Sequence, residues 1–267
     1  MALRSALINV MVGAAHKAAR GMLRDFGEVE QLQVSLKGPA DFVSAADRRA
    51  EDTIRAELAK ARPRYGFLME ERGEEVGEDS SNRWLIDPLD GTTNFLHGIP
   101  QFCISIALER DSRIFAGVIY DPVRDEMFWG EDGGGAYLNE RRIRVASRDH
   151  LKDAVVVTGI PHRGRAGKEG YLDQLTAMMG ITSGIRRFGS AALDMAWVAA
   201  GRFDAYWEQG LMPWDVAAGL VIVREAGGIT TEVDGGARVL STGSVLSANL
   251  SMHAQILEAL RFAPPLP

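Results

Sequence analysis

The stretch Trp84-Leu85-Ile86-Asp87-Pro88-Leu89-Asp90-Gly91-Thr92-Thr93-Asn94-Phe95 decides how the chain is read. Three apolar residues form a buried strand, and that strand runs straight into the two carboxylates Asp87 and Asp90. Pro88 stiffens the turn between them by fixing its own φ and restricting Asp87. Gly91 permits a backbone path that a side chain would block. Asp and Thr around a glycine at a strand exit can open a short helix whose N–H groups face outward and attract an anion. Asp, Pro and Gly are also ordinary turn formers, so the stretch gains its weight from other acids in the chain.

Glu70 and Glu71 follow the apolar strand Phe67-Leu68-Met69, where charge is unexpected. Asp215 lies in the first turn of a helix opened by Pro213, with Val216, Leu220 and Val223 on its apolar face. Asp47 lies one turn into the helix that Ser44 is expected to cap. Each helix-start acid is unremarkable alone, because the helix dipole stabilises it. Two carboxylates ~5 Å apart repel by about 3 kcal/mol at an effective dielectric near 20. A convergent group of them therefore needs a cation or protons. Oxygen ligands without cysteine or histidine select Mg²⁺, Mn²⁺ or Ca²⁺ over zinc. The histidines His16, His97, His150, His162 and His253 have no paired ligand spacing and read as surface or structural.

Outward from this segment, residues 3–26 read as an amphipathic helix and 29–43 as two short strands around a Lys37-Gly38-Pro39 turn. A helix runs to about Ala61, and 72–82 reads as an acidic loop. From Phe102 to Val145, apolar runs alternate with turns, as in an antiparallel meander. The second half reads as a strand at Ala154–Thr158, helices at Lys168–Met179 and Ser190–Ala200, a strand at Phe203–Trp207 and a helix at Pro213–Ala226. A strand near Val245–Ser247 and a helix from Ser251 close the pattern. Such mixing of helices with antiparallel strands predicts a layered α+β fold rather than a doubly wound sheet.

The 267 residues, 46% hydrophobic and 25% charged, suffice for one large domain or two halves sharing a site. A net charge of −6 argues against nucleic-acid binding by bulk electrostatics, although Arg141, Arg142 and Arg144 make a local basic patch. The single cysteine, Cys103, excludes an intrachain disulfide and reads as a small buried hydrophobe in a reducing cytosol. The N-terminal pattern is helical rather than that of a signal peptide, and no apolar run is long enough to span a membrane. The segment Gly164–Glu169 lacks the spacing and the Ser or Thr of a phosphate loop, and Gly133-Gly134-Gly135 reads as a turn.

Glu70-Glu71, Asp87-Pro88-Leu89-Asp90-Gly91-Thr92-Thr93 and Trp214-Asp215-Val216-Ala217-Ala218-Gly219 together resemble the motifs of the inositol monophosphatase family. The likeness runs from Asp41–Asp47 to Glu225–Gly228. Arg186–Asp194 and Tyr206–Asp215 resemble its bacterial extragenic-suppressor branch. The resemblance implies an αβαβα sandwich of the sugar-phosphatase type spanning residues 1–267, with metal motifs in 1–150 and the site completed by 151–267. It also implies a cytoplasmic homodimer, dependence on two or three Mg²⁺ ions with Mn²⁺ as a substitute, and inhibition by lithium.

Carried over by residue, the resemblance gives Glu70, Asp87 and the Leu89 carbonyl to one metal, and Asp87, Asp90 and Asp215 to a second, with Glu70 supporting a third through water. Glu71 matches the second acid of the pair and is not assigned as a ligand. Asp47 and Thr92 match the pair that orients the attacking water. Gly91 and Thr92 match the phosphate-binding amides, and Gly189, Ser190, Ala191 and Glu208 match the positions lining the polyol. The implied reaction is in-line hydrolysis of a phosphate monoester such as inositol 1-phosphate, with no covalent phosphoenzyme. Fructose 1,6-bisphosphate, NADP and nucleotide 3′-phosphates are alternative substrates. A regulatory binding role with the transcription and ribosomal-RNA machinery is the alternative of a different class.

Overall fold

The computed structural model describes residues 4–27, 34–38, 41–161 and 170–261. Helix α1 (Ala6–Phe26) begins where the Ser5 hydroxyl accepts from the Ile8 N–H at 3.1 Å. A hairpin of β1 (Val34–Gly38) and β2 (Asp41–Ser44) leads into α2 (Ala45–Ala61). The proposed Ser44 cap concerns a side chain outside the described residues, as does Pro39 of the hairpin turn.

The first large sheet contains β3 (Tyr65–Met69), β4 (Gly73–Glu75), β5 (Asp79–Asp90), β6 (Cys103–Arg110), β7 (Arg113–Asp121), β8 (Glu126–Glu131), β9 (Gly135–Leu138) and β10 (Arg141–Arg142). Their order is β10-β9-β8-β7-β6-β5-β3-β4. Short helix α3 (Thr92–Leu96) lies between β5 and β6. The chain continues through β11 (Val155–Thr158), α4 (Tyr171–Ile181), β12 (Gly184–Arg186), α5 (Ala191–Ala199), β13 (Ala205–Glu208) and α6 (Pro213–Glu225). It ends in β14 (Ile229–Thr231), α7 (Val239–Thr242), β15 (Val245–Ala248) and α8 (Leu250–Arg261). The second sheet has the order β12-β11-β13-β15-β14.

Side-chain alternation along the strands fixes the layers. Trp84, Ile86, Ile104, Ile106 and Val118 face one way and pack on α1 and α2. Leu85, Cys103, Ala107, Ile119 and Phe128 face the other way and pack on α5 and α6. On the second sheet, Val157, Tyr206 and Val245 face that same middle helical layer. Val156, Trp207 and Leu246 face outward, under Met178 of α4 and Met252 and Ile256 of α8. The result is five layers, helix–sheet–helix–sheet–helix. Both faces of each sheet are covered at its centre, which is why the central strands read as apolar runs.

The structure differs from the sequence reading in three places. The 72–82 segment is not a loop but contains β4 and the start of β5, which is drawn in as a parallel neighbour of β3. β5 does not stop at Asp87-Pro88; it reaches Asp90 through a register shift against β6, with Asp87 opposite Ser105 and Asp90 opposite Cys103. The second sheet is mixed rather than antiparallel, because β11 pairs in parallel with both β12 and β13. Helix α4 begins at Tyr171 among the described residues; the expected start at Lys168 and the Gly164–Glu169 segment lie outside them.

The middle layer depends on close backbone approach. A Cβ at Gly117 of β7 would meet the Ala218 carbonyl oxygen of α6 at 2.7 Å and its Cα at 2.8 Å. Gly117→Ala should therefore destabilise the protein by about 1–3 kcal/mol through overpacking. Gly13→Ala, in open space on the solvent-facing side of α1, should be neutral or stabilise by up to about 1 kcal/mol. Urea unfolding of the two variants beside wild type measures the contrast.

Candidate active site

The acids singled out in the sequence arrive from separate elements. Asp87 and Asp90 flank the register shift at the end of β5, Glu70 immediately follows β3, and Asp215 stands in the first turn of α6. They meet around Asp87, which is almost wholly buried. Burial holds the Asp87 carboxyl well above the ordinary carboxylate range; the charges of Glu70, Asp90 and Asp215 push it the same way, as does a hydrogen bond with Glu70.

Hydrogen bonds hold this repelling group in place. The Leu89 N–H donates to Asp87 Oδ1 at 3.0 Å. Asp90 Oδ2 accepts from the Ser190 hydroxyl and from the Ala192 N–H, both at 2.7 Å. The Asp90 carboxylate thus sits at the N-terminus of α5, where the helix dipole and a free N–H favour negative charge. Asp215 Oδ2 accepts from the Met212 N–H at 2.9 Å, capping α6. Asp87, Asp90 and Asp215 therefore each commit one oxygen to a structural bond. Among the described residues no three acidic, histidine or cysteine side chains close into a finished metal cage. The expected ligands Glu70, Asp87, Asp90 and Asp215 form an acidic cluster of hard oxygen donors around Asp87. The donor chemistry and the mutual repulsion both suit a divalent cation of the Mg²⁺ type.

Beside the cluster, Gly91 adopts φ 97° and opens α3. A Cβ there would lie 2.8 Å from the Gln101 carbonyl oxygen, so both the conformation and the space call for glycine. The Thr92 hydroxyl donates to the Leu89 carbonyl at 2.9 Å, which brings two of the expected site groups together. Asp47, buried in the first turn of α2, and Glu51 one turn later lie on the inward face that Ile54 and Leu58 continue. Glu51 was not anticipated. Its Oε2 accepts from the Glu71 N–H at 2.8 Å, and burial raises its carboxyl above the usual range. The signal was available: acids four residues apart on the apolar side of an amphipathic helix. Glu71 itself has the Arg48 guanidinium at 3.8 Å.

The second half of the chain supplies Gly189, Ser190, Ala191 and Glu208. Ser190, expected on the polyol wall, is buried, and its hydroxyl donates to Asp90. Gly189, at φ 84°, lies under Arg187 and next to the Asn94 amide. Asn94, which the sequence marks only as part of the motif, donates from Nδ2 at 2.8 Å to both the Gln101 and Phe188 carbonyls and so ties the two halves of the site together. Glu208 ends β13, its carboxylate bonded to Tyr206. Asp194 of α5 is fully enclosed; burial drives its carboxyl well up, with the Glu208 and Asp90 charges acting the same way. Cys103 is buried, as expected, with Sγ 3.8 Å from Asp90 Oδ2.

Residues 3–264 match the profile of the inositol monophosphatase family. The chain belongs to the inositol monophosphatase family. An inositol-1-monophosphatase of Mesorhizobium japonicum is 60% identical over 97% of both chains. The Nus factor SuhB of Pseudomonas aeruginosa is 42% identical over 98% of this chain and 97% of its own. Among solved structures, the extragenic suppressor protein suhB of Bartonella henselae superposes with a TM-score of 0.95 at 55% identity, covering 97% of this chain and 100% of that one. As a member of this family, the protein is a phosphatase acting on a phosphorylated substrate. No helix among the described residues is long and apolar enough to cross a membrane.

Removing the Asn94 amide takes the donor from the buried Gln101 carbonyl and from the half-buried Phe188 carbonyl. Asn94→Ala should cost about 2 kcal/mol of unfolding free energy, read by urea denaturation.

Proposed function

We propose that this phosphatase hydrolyses inositol 1-phosphate to inositol and phosphate with Mg²⁺ as its cofactor. The observation that carries the reading is the buried carboxylate group around Asp87, set next to the glycine-opened N-terminus of α3. The relatives named inositol-1-monophosphatase, at 53–60% identity, support the choice of substrate. Glu70, Asp87 and the Leu89 carbonyl would hold one ion, and Asp87, Asp90 and Asp215 a second, with Glu70 supporting a third. Mn²⁺ would serve as a substitute. When bound, the ions supply Lewis-acid activation of water and neutralise the leaving alkoxide.

The protein's own groups do the remaining work. Asp47 and Thr92 orient the attacking water and accept its proton. The Gly91 and Thr92 backbone N–H groups bind phosphate oxygens. Glu208 accepts hydrogen bonds from polyol hydroxyls, Gly189 and Ala191 line that wall, and Ser190 acts one step removed, through Asp90. On this reading, residues 1–150 carry the metal motifs and 151–267 complete the site, in a cytoplasmic homodimer.

The name Nus factor SuhB, borne by relatives at 38–46% identity, favours a second reading, in which the protein also binds transcription machinery.

Phosphate release from inositol 1-phosphate should require Mg²⁺ and fall on adding Li⁺. Asp90→Asn should lose at least about a hundredfold in kcat. Cleavage of fructose 1,6-bisphosphate, NADP or a nucleotide 3′-phosphate in place of inositol 1-phosphate would keep the chemistry and replace the substrate. Failure on every ester would put the binding role first, and capture of transcription factors by the Asp90→Asn protein would separate it from catalysis.

A further inference from the structure

Tyr206 and Glu208 alternate with Trp207 along β13, so their side chains leave the same face of the second sheet, toward the middle layer. Tyr206 is completely buried, and its hydroxyl donates to Glu208 Oε2 at 2.7 Å. The neighbouring strand β11 ends at Thr158, whose hydroxyl donates to the Trp207 carbonyl at 2.8 Å and anchors the end of β13 to it. The next residue is Gly159. A Cβ there would stand 1.8 Å from Glu208 Cδ and 2.0 and 2.1 Å from its two oxygens. The Glu208 carboxylate therefore rests directly on the bare backbone of Gly159, with Tyr206 gripping one oxygen.

A glutamate at a strand end has several rotamers, and holding it in one costs entropy that a specific hydrogen bond offsets. Burial and the neighbouring Glu208 and Asp194 charges raise the Tyr206 hydroxyl well above its usual range, so it remains protonated and able to donate. One carboxylate provides roughly four acceptor positions, and Tyr206 occupies one of them.

We propose that Tyr206 and Gly159 are positioning residues that fix the Glu208 carboxylate for hydroxyl recognition and so set specificity for polyol over simple phosphate esters. The inference rests on the reading that Glu208 contacts the polyol. Tyr206 removes the rotational freedom of the carboxylate, and Gly159 supplies the space in which it lies. Neither touches the reacting phosphate, so their effect is confined to the hydroxyl-bearing part of the substrate.

The test compares Tyr206→Phe, Gly159→Ala and Glu208→Gln in the full-length protein. It measures KM and kcat for inositol 1-phosphate and the inhibition constant of inorganic phosphate, which occupies only the phosphate part of the site. Loss of one hydrogen bond to a charged group predicts a KM rise of about tenfold for Tyr206→Phe. Gly159→Ala, which displaces the carboxylate without altering its chemistry, should raise KM similarly. In both variants kcat and phosphate inhibition should stay within about twofold of wild type, a split that general damage to the fold would not produce. If Glu208→Gln raises KM while the other two variants keep the wild-type value, the positioning role is wrong and the polyol contact stands. If Glu208→Gln leaves KM unchanged, the polyol contact itself is wrong. A parallel weakening of phosphate inhibition in Tyr206→Phe and Gly159→Ala would overturn the assignment by showing that the whole site had moved.

Discussion

The Asp87 carboxyl is buried while the charges of Glu70, Asp90 and Asp215 all act on it. Bringing such groups together costs on the order of a few kcal/mol per close pair, and the architecture is arranged to bear that cost. The register shift between β5 and β6 turns Asp87 and Asp90 inward. The N-termini of α5 and α6 supply donors to Asp90 and Asp215. These helices make up the middle layer, so the packing that joins the two sheets also delivers the counter-dipoles.

Small residues make that packing possible. Gly117 lets α6 approach β7, and Gly219 of α6 lies against Met195 of α5, where an added Cβ would stand 2.6 Å from the sulfur. Asn94 completes the junction by reaching from α3 to the Phe188 carbonyl. Close backbone approach and one amide bridge thus hold the two halves of the site in register. Such a division suits phosphoryl transfer, where positioning and charge neutralisation carry most of the work.

Much of this was legible in the sequence because the decisive signals are local. An apolar strand ending in Asp87-Pro88-Leu89-Asp90-Gly91 announces its own geometry, and the helix opened by Pro213 places Asp215 in its first turn. Composition and periodicity led to mixed helices and strands, and the five layers followed from the family likeness. What escaped depends on contacts distant in sequence. The bonds of Ser190 and Ala192 to Asp90 span about a hundred residues. Their donors are a hydroxyl and a backbone N–H that no local pattern distinguishes. The strand character of 79–83 comes from pairing with β3 and β6, not from its polar sequence. Glu51 is hard to single out because an acid on a helix reads as solvated, although its spacing from Asp47 and Ile54 turns it inward.

A cation bound at the Asp87 cluster would stabilise the folded protein. The most direct measurement is thermal unfolding of the wild type and Asp87→Asn across a Mg²⁺ titration, which needs no substrate. Mg²⁺ should raise the wild-type midpoint, with stabilisation of about 2.7 kcal/mol at a hundred times the dissociation constant, and leave Asp87→Asn unmoved. A wild-type midpoint indifferent to Mg²⁺, or an equal shift in the variant, would show that the Asp87 cluster is not a cation site.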